Sequence, residues 1–380
     1  MAINTQSILS TLETKIASMD SNTPLDDMIV NIKSYQEVGG VVSIQYDSSG
    51  AMPILDSAQA GLVLYSASDT ALYTFNGNAW AAVGNAAGDA APTTTQAQGS
   101  VSGYSSGGRG ASYTNTIDKF PFAADGNATD VGDITAARAL NIAGQSSTES
   151  GYTSGGYAPG GVVFNTIDKF PFASDGNATD VGDLTVARYG VAGQSSTESG
   201  YTSGGLESNG NTIDKFPFAT DANATDVGDL TQAQSFPGGS QSSSESGYIS
   251  GGSPTLNVIG KFSFASDGNA TDVGDLTVGR RGGTGQSSSE SGYTSGGYDG
   301  GNSNAIDKFP FATNGNATDV GDLTLARNAQ AGQSSTESGY TSGGASTTTT
   351  IDKFLFTADG NATDVGDLTQ ARYGLAGQQV

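Results

Sequence analysis

The chain has 380 residues, of which 56 are glycine, and its formal net charge is −23, with 15 Lys and Arg against 38 Asp and Glu. Cysteine and histidine are both absent. This composition excludes disulfides, metal sites built on thiolate or imidazole, and catalysis by Ser-His-Asp or Cys-His groups. The scarcity of cations argues against nucleic acid as a partner, and no apolar run approaches the roughly 20 residues that membrane insertion needs.

Residues 1–38 are expected to form a helical docking segment. Apolar residues recur in them at spacings of three and four, which is typical of a buried stripe on an α-helix. The two stripes consist of Leu9, Leu12, Ile16 and Met19, followed by Leu25, Met28, Ile29 and Ile32. Helices this short are only marginally stable alone. They are therefore expected to pack on each other, on a second copy of the chain in a homo-oligomer, or on a partner protein.

Residues 41–84 change to strand signals and predict a small β module, which a linker at 85–98 follows. Short apolar runs such as VVSIQY, GLVLYS and ALYTF are separated by polar turns, and Asn76-Gly77 before NAWAAV is a strong hairpin signal. The arrangement of GLVLY and LYTFNGNAWAAV resembles short β modules of bacteriophage tail fibres and other virion structural proteins. This resemblance, over about 25 residues, implies that residues 1–84 attach the protein to other virion proteins.

Residues 99–380 consist of tandem repeats. Six copies of the IDKF motif or its equivalent occur at spacings of 50, 46, 46, 47 and 45 residues, marked by Ile117, Ile167, Ile213, Ile259, Ile306 and Ile351. Each repeat has four strand-like runs, for example YGVAG, GYTSGG, NTIDKFPFA and TDVGDLTVAR. A period of this length with four strands per unit predicts the blades of a β-propeller. The expected fold class is mainly β, a six-bladed β-propeller with a small N-terminal helical segment and a short β module.

The repeats resemble the kelch repeat in three features: a Tyr followed by Gly-Gly, a variable loop after it, and a Leu-x-x-x-Arg approach to the next unit. The Trp expected near the end of a kelch blade is absent, so the resemblance implies a kelch-like variant. The repeats begin at VSGYSSGG and end after the lone run ARYGLAGQQV. Residues 373–379 are therefore expected to complete the first blade, which would remove the exposed sheet edges that favour aggregation.

Alternate loops of antiparallel strands lie on opposite faces of a propeller, and the six copies differ mainly on one face. The turns SSTES and SDGNAT share a nearly uniform face, whereas the loops after GYTSGG and the crossings between repeats vary. Side chains on the variable face are candidates for ligand binding, because binding residues concentrate on loops held by rigid scaffolds. The candidates are Arg109, Tyr157, Phe164, Tyr189, Leu206, Glu207, Phe236, Arg281, Tyr298, Asp299 and Tyr373.

The turn SDGNATDVGD presents oxygen-bearing side chains at offsets 1, 3, 5 and 9, which resemble the calcium loops between strands of some other propellers. These residues are Asp175, Asn177, Thr179 and Asp183. The alternative is a tight turn whose Asp and Asn side chains bond to the backbone. The preferred interpretation is the turn, with no cofactor. Lys119 and its five equivalents are expected to form ion pairs between blades.

Nearly all acidic residues recur in every repeat, as scaffold residues do, so an enzyme is not expected. The sequence predicts a non-enzymatic virion component of marine or cyanobacterial phage type, by its resemblance to repeat-rich proteins of such viruses. Located on the tail or capsid surface, it would present the variable face to host-surface glycan or another receptor. Two alternatives are a purely architectural decoration or adaptor protein, and a glycan-degrading tail enzyme that uses Glu207 and Asp299 as its carboxylates.

Overall fold

The computed structural model describes residues 98–206, 210–345 and 348–380 in full, together with the backbone of five strands nearer the N-terminus. The chain divides into two compact units, Met1–Thr93 and Thr94–Val380. The described part of the chain contains strands and turns and no helix. The apolar stripes expected on helices between Leu9 and Ile32 lie outside the described residues.

The strands of the first unit form one sheet, in the order in which they occur along the chain. They are β1 (Tyr35–Val38), β2 (Val41–Tyr46), β3 (Val63–Ser66), β4 (Ala71–Phe75) and β5 (Trp80–Ala82). Neighbours are antiparallel except β2 and β3, which are parallel. Strand β1 lies within residues 1–38, the segment that was expected to be helical. Tyr35–Val38 pairs antiparallel with β2, with Val38 opposite Val41.

The second unit is a ring of six four-stranded antiparallel sheets, which confirms the six-bladed propeller expected from the repeats. Blade 1 contains β6 (Ser102–Ser106), β7 (Thr116–Pro121) and β8 (Thr129–Asp133). Blade 2 contains β9 (Ala143–Ser146), β10 (Ser150–Ser154), the short hairpin β11 (Tyr157–Ala158) and β12 (Val162–Val163), β13 (Thr166–Pro171) and β14 (Thr179–Asp183). Blade 3 contains β15 (Ala192–Ser195), β16 (Ser199–Ser203), β17 (Thr212–Pro217) and β18 (Thr225–Asp229).

Blade 4 contains β19 (Gly239–Ser242), β20 (Ser246–Gly252), β21 (Leu256–Ser263) and β22 (Thr271–Asp275). Blade 5 contains β23 (Thr284–Ser287), β24 (Ser291–Tyr298), β25 (Asn302–Pro310) and β26 (Thr318–Asp322). Blade 6 contains β27 (Ala331–Ser334), β28 (Ser338–Ser342), β29 (Thr350–Leu355) and β30 (Thr363–Asp367). The last strand, β31 (Ala376–Gln379), pairs antiparallel with β6 and becomes the innermost strand of blade 1. The ring is therefore closed by backbone hydrogen bonds between its two ends.

Hydrophobic clusters join neighbouring blades at all six interfaces. Between blades 1 and 2, the ring of Tyr104 lies 5.5 Å from that of Phe170 and 4.9 Å from that of Phe172, measured between centroids. The other five interfaces repeat this contact between one Tyr and two Phe residues. Each such ring pair contributes about 0.5–1.5 kcal/mol beyond its burial. The two phenylalanines of every repeat thus hold a blade to the one before it.

Polar contacts accompany each hydrophobic interface. The Asn177 side-chain oxygen accepts from the backbone N–H of Asp133 in the preceding blade at 3.1 Å, and the equivalent bond occurs at all six interfaces. An ion pair equivalent to Lys119–Asp175, at 3.1 Å, occurs at five of them, which confirms the expected pairing between blades there. At the sixth interface, Asn314 replaces the aspartate, so Lys261 has no ion pair among the described residues.

Five blades also contain a fully buried ion pair. In blade 2, Arg138 Nη2 lies 3.1 Å from Asp168 Oδ2, and neither side chain is exposed to solvent. The backbone N–H and hydroxyl of Thr135 donate to the same carboxylate. Burial lowers the pKa of Arg138, and the charge of Asp168 opposes that change. The equivalent pairs are Arg372–Asp118, Arg188–Asp214, Arg280–Asp307 and Arg327–Asp352. Blade 4 has Gln234 and Gly260 at these two positions.

The innermost strands pack closely around the propeller axis. A Cβ atom added to Gly193 would lie 2.2 Å from the backbone oxygen of Gly144 in the neighbouring blade, so only glycine fits at this approach. Every blade except blade 4, which has Ser240, has glycine at this position. Beside these glycines, Gln145 Nε2 donates to Thr202 Oγ1 at 2.9 Å across a blade boundary. The centre of the ring is therefore closely packed, with a polar cavity of about 80 Å³ along the axis.

Candidate functional site

The loops of the propeller lie on two opposite faces. The backbone N–H of Phe172, in the turn after β13, donates to the oxygen of Glu149, in the turn between β9 and β10, at 2.9 Å. These turns and their equivalents form the uniform face. On the other side, the backbone N–H of Gly156, after β10, donates to the oxygen of Arg188, in the crossing to the next blade, at 2.9 Å. The loops after the second strands and the crossings between blades form the variable face.

On the uniform face, the Asp and Asn side chains of the turns are engaged in protein contacts. Asp175 pairs with Lys119, the Asn177 amide oxygen accepts from a neighbouring blade, and Asp180 Oδ1 accepts from the backbone N–H of Gly182 at 3.2 Å. Over the described ranges there is no group of three or more acidic side chains that could hold a metal ion. In the described residues, these turns therefore do not group the carboxylates that a calcium loop would need. The observed bonds are those expected of a tight turn.

On the variable face, each blade contributes one rung, defined here as two residues joined by backbone hydrogen bonds. One residue follows the Gly-Gly pair after the second strand, and the other follows the buried Arg of the crossing, or Gln234 in blade 4. In blade 5, Arg281 and Tyr298 exchange two such bonds, at 3.1 and 2.8 Å. The rungs of blades 1 to 6 are Arg109–Tyr373, Tyr157–Ala139, Leu206–Tyr189, Ser253–Ser235, Tyr298–Arg281 and Ala345–Asn328. No two rungs carry the same residues at the same two positions; blades 1 and 5 both pair an Arg with a Tyr, with the positions exchanged.

Each rung has one member in the crossing between blades, and the residue that follows this member in the chain lies near the axis in the left-handed conformation. This axial ring consists of Leu140, Gly190, Phe236, Gly282, Ala329 and Gly374, with φ of 69°, 67°, 46°, 63°, 55° and 69°. Backbone hydrogen bonds of 2.5 to 2.9 Å link each member to the next from Leu140 to Gly374. A non-glycine residue costs about 1–2 kcal/mol in this conformation. Leu140 and Phe236 are therefore held at the axis at a cost in stability, which points to a role other than folding.

Four aromatic rings form an arc across the variable face from blade 1 to blade 4. The ring centroids are 6.4 Å apart for Tyr113 and Tyr157, 5.2 Å for Tyr157 and Tyr189, and 5.9 Å for Tyr189 and Phe236. All four side chains are half-buried. The guanidinium of Arg109 lies over Tyr113, 5.2 Å from its centroid. The sequence analysis missed Tyr113, and the only signal for it was an aromatic residue within the loop RGASYTN.

A pocket of about 340 Å³, here called the axial pocket, opens at the inner end of this arc. Leu140 and Phe236 form its apolar side, and Gly282 and Ala329 contribute to its lining between the rungs. The pocket exists because three successive members of the axial ring have small side chains or none, from Gly282 through Ala329 to Gly374. The equivalent space at Gly190 is covered by the Phe236 ring.

Polar groups line the opposite side of the axial pocket. Arg281 lies over the ring of Tyr298, with its guanidinium 5.4 Å from the centroid. Asn328 Nδ2 donates to Asn302 Oδ1 at 2.6 Å, and Tyr373 completes this side. The structure therefore brings together four residues expected from the sequence, Phe236, Arg281, Tyr298 and Tyr373. It adds six that were not expected from the sequence: Leu140, Asn141, Gly282, Asn328, Ala329 and Ala345.

Other expected site residues lie outside the axial pocket. Leu206 is 37% exposed on the rung of blade 3. Phe164 packs over the buried Arg138, with the guanidinium 5.2 Å from its centroid, and so covers an ion pair of the framework. Asp299 is exposed in the turn between β24 and β25, where its carboxylate accepts from a backbone N–H of the same turn. Glu207 lies outside the described residues.

The fold and this face define a class: a six-bladed β-propeller in which one face joins the blades and the other displays different residues on a repeated backbone. No protein-family model matches the chain, and no curated protein matches it either. In the part of the chain that the structure describes, no helix is long and apolar enough to span a membrane.

Proposed function

We propose that the protein is a non-enzymatic virion component, carried on the tail or the capsid surface, whose propeller binds host-surface glycan or another receptor through the variable face. One observation carries this proposal. Repeated side chains of the uniform face bond neighbouring blades, whereas the rungs of the variable face hold different residues on one backbone. Such a surface can vary in what it binds without altering the ring, as loops on a rigid scaffold do.

Glycan is favoured as the ligand by the aromatic arc that starts at Tyr113. Tyrosine combines an apolar ring with a hydroxyl group and loses little conformational entropy on binding. Sugar rings present apolar C–H faces surrounded by hydroxyl groups, so they match a surface of this composition. Arg109 and Arg281 add donors that can bind hydroxyl or carboxylate oxygens.

Residues 1–84 are proposed to bind other virion proteins, with their helical part holding a homo-oligomer. This part of the proposal is based on the resemblance to phage tail-fibre modules. The polypeptide enters the propeller at the uniform face, where the backbone N–H of Gly99 donates to the oxygen of Ser334 at 2.7 Å. A receptor bound to the variable face would lie on the opposite side of the propeller from this entry point.

The blades themselves are proposed to be of a kelch-like type. The features behind this resemblance form the framework of every rung. In blade 2, Gly155 and Gly156 after the second strand have φ of 68° and 117°, which side chains rarely adopt. The arginine that ends the Leu-x-x-x-Arg motif is buried in its ion pair in five blades.

A second candidate function, an architectural decoration or adaptor, is favoured by a separate observation. Val186, Val278 and Leu325 occupy the same position in three crossings and are 44%, 51% and 50% exposed. Apolar side chains repeated at one exposed position can pack against neighbouring subunits on a particle.

The test of the proposed function is binding of the full-length protein to a glycan array. We expect a defined set of glycans to bind, and we expect Tyr157→Ala with Tyr189→Ala to weaken binding by about tenfold or more, as loss of central aromatic contacts does. Leu355→Ala, which changes an exposed apolar residue at the uniform-face end of β29, is the matched control and should bind normally. Absence of glycan binding from a protein that is incorporated normally into particles would favour the architectural function.

Attachment through the N-terminal unit has its own test. A chain lacking residues 1–34 keeps all five strands of the first sheet. We expect this truncated chain to be missing from purified virions of the virus that encodes it, as judged by immunoblotting against the propeller. Incorporation at the level of the full-length chain would contradict the docking role.

A further inference from the structure

The axial pocket has the dimensions of a site for one small ring. Small-molecule pockets in proteins usually measure about 300–1,000 Å³, and this pocket of about 340 Å³ is at the lower end of that range. Leu140 and Phe236 line one side and Arg281, Asn328 and Tyr373 line the other, and most of the surface inside the pocket is apolar, with the polar groups of these three residues at its margin. A ligand that fits both sides has an apolar face and several polar substituents, as a single sugar ring has.

The cations of the propeller indicate the charge of that ligand. Thirteen of the 15 Lys and Arg residues lie in the described part of the chain, and ten of these thirteen form ion pairs. The three that form none with described residues are Arg109, Lys261 and Arg281. Two of these three lie on the variable face, and Arg281 is the one that lines the axial pocket. In a chain of net charge −23, a cation without a carboxylate partner beside a pocket is the natural partner for an anionic ligand.

The surroundings of Arg281 favour a carboxylate. Arg281 is exposed, and its guanidinium carbon lies over the Tyr298 ring at 5.4 Å from the centroid, within the range of a cation–π contact that holds the charge beside the pocket. A planar guanidinium binds a carboxylate through two parallel hydrogen bonds, which a neutral hydroxyl group cannot reproduce. The amide nitrogen of Asn328 already donates to Asn302, so its amide oxygen remains an acceptor for a sugar hydroxyl.

We infer that the axial pocket binds the terminal ring of an acidic glycan, with the carboxylate of the sugar on Arg281. The inference deepens the proposed function and rests on it. The sugar ring packs its apolar face on Leu140 and Phe236, and its hydroxyl groups bond to Asn328 and Tyr373. This role explains why Leu140 and Phe236 are retained in the left-handed conformation. Glycine in their place would leave the pocket without an apolar side.

The experiment uses the full-length protein and immobilised oligosaccharides that end in sialic acid or a hexuronic acid, each paired with its carboxyl methyl ester. We expect the free acids to bind and their esters to bind at least about tenfold more weakly. Arg281→Gln should weaken binding of the acids to the level of the esters. Lys261→Gln is the matched control, since Lys261 also lies over a tyrosine ring, 5.6 Å from its centroid, and has no ion pair among the described residues, but does not belong to the variable face; it should bind normally.

A second variant tests the pocket without changing its charge. Ala329→Leu places at one axial position the residue that the chain already holds at Leu140 with a similar φ, so the ring should fold. The added side chain should occupy the pocket and reduce binding of the acids by about tenfold or more. Thermal melting of each variant within a few degrees of the wild type establishes that it is folded.

The outcomes separate the inference from the function on which it rests. Binding of neutral glycans, or of acids and esters equally, with no effect of Arg281→Gln, would overturn the inference and leave glycan recognition standing. Binding of acids that Ala329→Leu does not change would place the anion elsewhere and would also overturn it. Absence of binding to every glycan would overturn both.

Discussion

Blade 4 and the other five blades share one backbone plan but differ in their buried polar contacts. Where the others have the buried Arg–Asp pair, blade 4 has Gln234 and Gly260, so both charges are missing together. Ile249 replaces a smaller residue beside them, and a Cβ atom on Gly260 would lie 3.4 Å from its side chain. Losing one member of a buried pair costs about 3–5 kcal/mol because the other stays charged and unpaired, whereas losing both costs far less.

At the exposed contacts of blade 4 the substitutions are not matched. Lys261 is retained although Asn314 has replaced its partner. An exposed ion pair contributes only about 0–1 kcal/mol, so its loss is tolerated without a second change. In this propeller, therefore, a change at a buried contact is matched by a change in its partner, whereas a change at an exposed contact is not.

Breaking a buried pair in blade 3 should have the largest effect. We expect Asp214→Gly to lower the free energy of unfolding by about 3–5 kcal/mol, because Arg188 remains buried without its partner. Adding Arg188→Gln, which reproduces the residues of blade 4, should recover at least half of that loss. Urea denaturation of both variants measures the difference. Asp226→Ala, at an exposed aspartate of the same blade, is the control, and the rule is wrong if Asp214→Gly is no more costly than this change.

The closely packed centre should give the next largest effect. Gly193→Ser would bring a Cβ atom to 2.2 Å from a neighbouring backbone oxygen, so the backbone must move, at a cost of about 1–3 kcal/mol. The reverse change at the equivalent position, Ser240→Gly, should cost less than about 1 kcal/mol. Thermal melting of the two variants side by side gives the comparison. Equal effects would show that blade 4 has no extra room at the axis.

Restoring the missing surface pair should have a small stabilising effect. Asn314→Asp supplies Lys261 with the partner that the other five lysines have, and we expect a gain of about 0.2–1 kcal/mol in the free energy of unfolding. The gain should fall in high salt, because exposed pairs are screened. It should be absent when Lys261→Gln is present as well. A gain that persists in that background has another cause.

The pH dependence of one surface pair should give the smallest effect. The hydrogen bond to Asp267 raises the pKa of Lys215 above its usual value of 10.5. A raised pKa in the folded state means that the pair stabilises the fold below about pH 10.5 and that this contribution is lost as the pH rises through the raised pKa. Asp267→Asn should therefore be less stable than the wild type at pH 8, by no more than about 1 kcal/mol, and equally stable near pH 12. Melting curves at the two pH values measure the difference.

The repeats were sufficient to predict the architecture, because each blade contains its own strand pattern. The period near 46 residues, the six copies and the partial repeats at both ends predict six blades closed by residues near the C-terminus, and β31 occupies that place. The ion pairs of Lys119 and its equivalents were also predicted from the repeats, and the prediction was correct except at Lys261. There the determining residue, Asn314, lies in the next repeat, at the position that Asp175 occupies in blade 2.

The candidate site could be predicted only in part. Aromatic residues in unequal loops pointed to the variable face, but not to the left-handed backbone that holds Leu140 and Ala329 at the axis. The arginines that end the Leu-x-x-x-Arg motif lie in the crossings between blades, and their position in the chain therefore predicted that they lie on the variable face. Their burial depends on an aspartate in strand β13 or its equivalent, a pairing that sequence spacing does not reveal. Phe164 looked like a contact residue for the same reason, and it covers Arg138 instead.

Closure of the ring by β31 has a consequence for how the protein is made. The strand to which it bonds, β6, is synthesised long before Ala376–Gln379. Until residues 376–379 have been synthesised, the nascent chain has an unpaired strand edge at β6, which can pair with another copy of the chain on the same polysome. A chain cut short before residue 376 would keep five complete blades and have one open edge at β6, where it could pair with another copy of itself.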